Sequence, residues 1–147
     1  MIETVLHEAL RDSVDEVLEK MFFAETLGEA SDARPEPDDI AVEVPFEGEL
    51  AGVMCLHLTA ASAHEIAADF LGIDAAEISP TQVSEVACEL ANMICGSVLS
   101  RVESTVAFRL GVPRIVTSPE EPPAASSPHS PYCVQLSKGR IAVCIAT

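Results

Sequence analysis

Positively charged side chains are scarce in this chain: 8 Lys and Arg stand against 24 Asp and Glu in 147 residues, a formal charge of −16. Nucleic-acid binding draws its affinity from clustered cations that release counterions. Here the cations are few and scattered, so DNA and RNA are excluded as partners. No uninterrupted apolar run approaches the roughly 18 to 20 residues that a bilayer span needs. Met1-Ile2-Glu3-Thr4 lacks the positive-then-apolar order of a signal peptide. The expectation is therefore a cytoplasmic chain with no membrane span. The sequence also lacks any CxxC, HExxH or Glu-x-x-His, and its 5 cysteines are an odd number. That argues for reduced, buried thiols at Cys55, Cys88, Cys95 and Cys144, the ones with apolar neighbours, and against a disulfide framework. A metal site built from Glu85, Glu89 and His57 or His64 has no ligand spacing to support it. No internal repeat is visible.

What is present is enough apolar sequence for a core: 48% of residues are hydrophobic, which fits one globular domain over 1–147. The charge is uneven. Residues 1–100 hold 21 acids and 3 bases, a balance of −18, while 101–147 hold 3 acids and 5 bases, a balance of +2. A partner with a basic rim would be steered to the first two thirds.

Leu6, Leu10, Val14, Val17 and Met21 recur three or four apart among acids, which predicts a helix from residue 2 to about 27 with Gly28 as its stop. Residues 29–39 carry two prolines and no period, and read as an exposed connection. Ile40, Val42 and Val44 begin a strand, Phe46-Glu47-Gly48-Glu49 reads as a turn, and Glu49–Thr59 as a second strand. A short helix over Ala61–Leu71 should end at Gly72. Ser79-Pro80-Thr81-Gln82 announces a longer helix to about Ser104, with Ser as cap, Pro at the first helical position and Gln reaching back to the cap's N–H. Val106–Val116 reads as a strand interrupted by Gly111 and Pro113. Residues 131–146 read as a hairpin with Lys138-Gly139 at its tip. Between them, 118–131 is a proline-rich loop that can be neither helix nor central strand. The order αββααβββ, with short links between strands, predicts a layered α+β fold with helices packed on a mixed or antiparallel sheet.

The long helix carries the chemistry. At about 100° per residue, Val83, Val86, Ala87, Leu90, Ile94 and Val98 gather on one side and must face the core. Glu85, Glu89, Asn92 and Gly96 fall four, three and four apart and form a stripe on the opposite side. No Lys or Arg precedes Arg101 on this helix, so the two glutamates repel each other without a compensating base. Gly96 costs a helix interior about 1 kcal/mol relative to Ala. Both choices weaken the helix in isolation, and they leave a surface that another protein can approach closely. The plainer alternative is a solvated helix face with no further role. A pair of glycosidase carboxylates is excluded, because side chains one turn apart on one helix cannot flank a sugar bond from two sides. Cys88 and Cys95 lie about 10 Å apart in rise and cannot bridge.

Glu89-Leu90-Ala91-Asn92-Met93-Ile94-Cys95-Gly96, with Glu85 one turn earlier and Pro113 after the next strand, resembles the Glu-x-x-Asn signature of the CheC/CheX/FliY family of chemotaxis phosphatases. The chain has one such signature, as CheX-type members do, where CheC-type members usually have two. The resemblance implies a CheX-like domain that hydrolyses the aspartyl phosphate on a phosphorylated response-regulator receiver domain such as CheY. It implies that Glu89 pairs with the receiver's active-site Lys and that Asn92 enters the receiver's site and orients the attacking water. Glu85 and Gly96 then belong to the partner-binding surface. The Mg²⁺ belongs to the receiver, and this chain itself is expected to bind no cofactor. The other reading the resemblance allows is a non-catalytic binding module that recognises a phosphorylated receiver or another signalling protein. Two features depart from the family pattern: the family commonly has Asp or Ser where this chain has Glu85, and Pro113 follows Asn92 slightly sooner than usual. A homodimer is expected both from relatives that dimerise and from the uncharged, β-branched run Ile141–Ile145, which would need covering at a sheet edge.

Overall fold

A computed structural model describes residues 2–22, 24–29, 38–48, 51–102, 108–116 and 132–146. Its elements run α1 (Ile2–Met21), β1 (Ile40–Glu47), β2 (Gly52–Leu58), α2 (Ala60–Leu71), a 3₁₀ turn (Ala75–Glu77), α3 (Pro80–Val102), β3 (Arg109–Leu110), β4 (Arg114–Val116), β5 (Tyr132–Leu136) and β6 (Gly139–Ala146). The strands form one sheet in the order β3-β1-β2-β6-β5, with β4 also paired to β1. Every pairing is antiparallel. The expected α+β order holds, with β3 and β4 as the two halves of the interrupted strand. The loop over 118–131 lies outside the described residues, as do 30–37 of the connection read over 29–39.

Alternation decides which sheet face is covered. Val42, Val44 and Phe46 on β1 are buried, as are Met54, Leu56 and Leu58 on β2, Ile141, Val143 and Ile145 on β6, and Tyr132, Val134 and Leu136 on β5. These positions share one face, and the core cluster joins them to the buried stripes of the three helices. In that helical layer α1 lies against α3, with Ser97 Oγ donating to Ser13 Oγ at 3.0 Å across the contact. By length and composition α3 is the one helix among the described residues able to cross a membrane, and half of its apolar window is buried inside the fold. It serves as the central core helix.

Helix α1 stops at Met21, short of the expected end, and Gly28 is not its stop. The cause is tertiary: Phe22 is fully buried and stacks on Phe70 of α2 with ring centroids 4.5 Å apart. The chain then lies along the open edge of β5. Leu27 N–H donates to Gln135 O at 2.8 Å, Gln135 N–H to Gly28 O at 2.9 Å, and Glu29 bridges Val134. Phe46 and Glu47, expected in a turn, continue β1. The β5–β6 hairpin forms, but it turns through Ser137-Lys138, one residue before the expected tip, with Gly139 already paired to Leu136. However, β6 is paired on both sides, with β2 and with β5. The Ile141–Ile145 run is therefore no sheet edge, and that ground for a homodimer is gone.

The break between β3 and β4 has a local cause. Three residues, 111–113, oppose only Val44 and Pro45 of β1, which is a β-bulge. Pro45 O accepts the Gly111 N–H at 2.7 Å, so Pro45 turns its polar atoms to this edge but has no N–H to donate there. Any side chain at 111 would meet Pro45, because a Cβ there would lie 2.5 Å from Pro45 Cγ.

Candidate functional site

The start of α3 is fixed by the reciprocal cap expected from the sequence. Ser79 N–H donates to Gln82 Oε1 at 2.9 Å, and Gln82 N–H to Ser79 Oγ at 3.1 Å. This fixes where the helix begins and hence which residues face the sheet. Val83, Val86, Ala87, Leu90, Ile94 and Val98 are all buried, as expected. So are Ala91, Cys95 and Leu99, a wider arc than a single-faced helix would bury, because α3 is packed by α1 and α2 as well as by the sheet.

The widened arc grades the opposite stripe. Glu85 and Glu89 are exposed, while Asn92 and Gly96 are half-buried beside the packed faces. All four lie on one line along the helix, as read. None of the three polar side chains makes a hydrogen bond or ion pair with another described residue. The only described polar side-chain atom that is both buried and unpartnered is Glu65 Oε2. The amide of Asn92 therefore reaches solvent. Gly96 lies beside Leu110 of β3, whose Cδ1 is 3.7 Å from where a Cβ would stand. Leu110 thus borders the stripe, a neighbour that no sequence signal announces.

No described base compensates the two glutamates. The single base on α3, Arg101, is turned to α1, where its Nη2 lies 2.6 Å from Glu16 Oε2. Arg114 is likewise held by Glu43 at 2.8 Å. The histidines considered as metal partners lie elsewhere. His57 stands between inward-facing Leu56 and Leu58, on the sheet face turned away from α3, and its burial lowers its pKa. His64 on α2 bonds the carbonyl of Ala75. Among the cysteines, Cys95 and Cys133 are buried and the other three are half-buried. Burial raises the Cys95 thiol to about 12. Cys133, the one with polar neighbours in sequence, is thus more enclosed than expected.

Chemically, the stripe offers an anionic edge followed by a neutral amide that can both donate and accept. Over residues 40–137, which include all of α3, the sequence matches the family model described as chemotaxis phosphatase CheX. The chain belongs to the CheX family. Solved structures agree on the fold. CheX in the CheX–CheY–BeF3–Mg²⁺ complex from Borrelia burgdorferi superposes with a TM-score of 0.76 at 18% identity, covering 95% of each chain. CheX from Vibrio vulnificus gives 0.75 at 19% identity, covering 96% of this chain and 95% of that one. The FliM middle domain from H. pylori gives 0.62 at 14% identity, covering 99% and 88%. No curated protein sequence matches the chain.

Proposed function

We propose that this CheX-family chain accelerates hydrolysis of the aspartyl phosphate on a CheY-like receiver domain, docking through Glu89 and inserting Asn92. The observation that carries the reading is the unpartnered amide of Asn92 one turn beyond Glu89, on a helix whose only base is engaged elsewhere. No described residue of the fold uses that amide, which reaches solvent in line with the two exposed glutamates. The related Borrelia protein in its complex with CheY, BeF3 and Mg²⁺ supports a receiver as the partner. Fold alone cannot decide the chemistry, since the FliM middle domain shares it.

In the proposed reaction, water attacks phosphorus in line, the bond to the aspartyl oxygen breaks, and inorganic phosphate and the free carboxylate leave. Such a transfer needs positioning and charge stabilisation more than covalent chemistry. The Asn92 carbonyl accepts a hydrogen bond from the water and aligns its lone pair, and the amide adds no negative charge against the phosphoryl group. Glu89 pairs with a cation at the rim of the receiver's site, and the acidic first two thirds of the chain steer that encounter. The metal belongs to the receiver.

The test is phosphate release from a phosphorylated receiver, with and without this protein. Asn92→Ala should keep binding the phosphorylated receiver while hydrolysis falls to the receiver's own rate. Unchanged hydrolysis by that variant refutes the assignment. Wild-type protein that binds without releasing phosphate would identify a binding module instead.

A further inference from the structure

The sheet face turned away from the helices holds a second arrangement of reactive groups. On β2 and β6, Leu56, Leu58, Val143 and Ile145 point into the core, so Cys55 and Cys144 point to the other face. The register sets them directly opposite each other on neighbouring central strands. Both are half-buried, and each perturbs the other's titration. The neighbouring Cys144 and burial raise the Cys55 pKa, and the neighbouring Cys55 lowers that of Cys144 against burial. Glu43, opposite Cys55 on β1, adds to the pressure on Cys55 to keep its proton.

The ladder shows what joining them would require. Thr59 N–H donates to Arg140 O at 3.2 Å, one step beyond the Leu58–Ile141 pair. Thr59 and Arg140 are thus a hydrogen-bonded pair, and alternation makes Cys55 and Cys144 another. The other edge agrees: Pro45 turns its carbonyl away from β2, so Pro45–Val53 and Glu43–Cys55 are non-hydrogen-bonded pairs and Cys55 turns its own backbone polar groups to β6. At hydrogen-bonded positions the Cα atoms lie about 5.5 Å apart, within disulfide range. The Cβ atoms lie at the wide end of about 4.5 to 5.5 Å, against the ~3.8 Å mean of a relaxed disulfide. Closure is possible and strained, and a strained disulfide is readily reduced.

We propose that Cys55 and Cys144 are a reversible redox modification site, a cross-strand dithiol that closes to a labile disulfide under hydroperoxides and reopens with a cellular monothiol. The Cys144 sulfur, as thiolate, attacks the distal peroxide oxygen. The O–O bond breaks, Cys144 becomes a sulfenic acid, and the leaving oxygen takes up the proton Cys144 gave up. The Cys55 sulfur then attacks the Cys144 sulfur, the S–S bond forms, and the S–O bond breaks as hydroxide leaves with the Cys55 proton as water. Two electrons pass from the two thiols to the peroxide. Cys133, opposite Ala142 on β5, is a diagonal neighbour of Cys144 and the natural competitor. This site is independent of the phosphatase reading.

The experiment is hydrogen peroxide treatment of the folded full chain, alkylation of the remaining thiols, and peptide mapping by mass spectrometry. The expected result is a Cys55–Cys144 linkage, 3 of the 5 cysteines alkylated, and recovery of all 5 after glutathione. Cys144→Ser and Cys55→Ser should each abolish the linkage, because the cross-strand partner set opposite by the register is gone. Cys55→Ser should leave a sulfenic acid at Cys144 that dimedone captures. Should either variant fail to fold, the wild-type map decides alone. Five alkylated thiols after peroxide, a Cys133–Cys144 linkage, or a Cys144 oxidised to sulfinic acid without closure would each overturn the proposal.

Discussion

Helices α1 and α3 lie side by side in one layer, both amphipathic and both acidic. Helix α1 ties some of its acids into the fold, although its Glu8 and Glu19 are exposed without a described partner, whereas α3 ties in none. On α1, Glu16 is met by Arg101 at 2.6 Å and by Lys20 at 4.0 Å, and Asp15 Oδ1 accepts the Tyr132 hydroxyl at 3.1 Å. On α3, Glu85 and Glu89 face solvent with no described partner, and the helix lends its own base to α1. Acids that hold a fold together end on donors within it. What distinguishes Glu85 and Glu89 from the equally unpartnered Glu8 and Glu19 of α1 is the unpartnered amide of Asn92 in line with them. In the proposed reading, that amide rather than charge alone marks the partner-facing stripe.

The largest test of that contrast is Asn92→Ala. Losing one positioned polar group costs on the order of 10² to 10³ in rate where it acts on the transition state, so receiver dephosphorylation should fall to the receiver's intrinsic rate while thermal stability holds. Glu89→Ala comes next. Removing one docking charge should weaken receiver binding by about tenfold, roughly 1.4 kcal/mol, and flatten its salt dependence, read by titration at two ionic strengths. If Glu89→Ala bound as well as wild type, the unpaired acids of α3 would be no different from any solvated face.

The sequence makes the candidate stripe legible because it lies within one helix. Ser79 and Gln82 are three residues apart and set the start of α3, and a fixed angle per residue does the rest. Contacts between distant segments are not legible. The early end of α1 depends on Phe22 finding Phe70, and the wide buried arc of α3 depends on α1, α2 and the sheet packing around it. That no base relieves Glu89 was visible locally, but Arg101's reason for facing away, Glu16, lies 85 positions earlier. Likewise Ile141–Ile145 has the composition of a strand needing cover, and only the strand order shows that β2 and β5 supply it. Cys55 and Cys144 are ordinary residues until register sets them face to face.

The smaller tests probe the borders of the contrast. Gly96 is half-buried, and a methyl there would rest at ordinary contact distance from Leu110. Gly96→Ala should therefore gain about 0.5 to 1 kcal/mol in helix stability, measured by denaturant titration. If the stripe is a docking surface, the same variant binds the receiver more weakly although it is the more stable protein. Greater stability with unchanged binding would remove Gly96 from the partner surface. Arg101→Ala probes the opposite side: it breaks the Glu16 pair, an exposed contact of about 0.2 to 1 kcal/mol, and should leave receiver dephosphorylation untouched. A loss of activity larger than that loss of stability would mean that Arg101 reaches the partner after all, and the division between paired and unpaired acids would have to be redrawn around it.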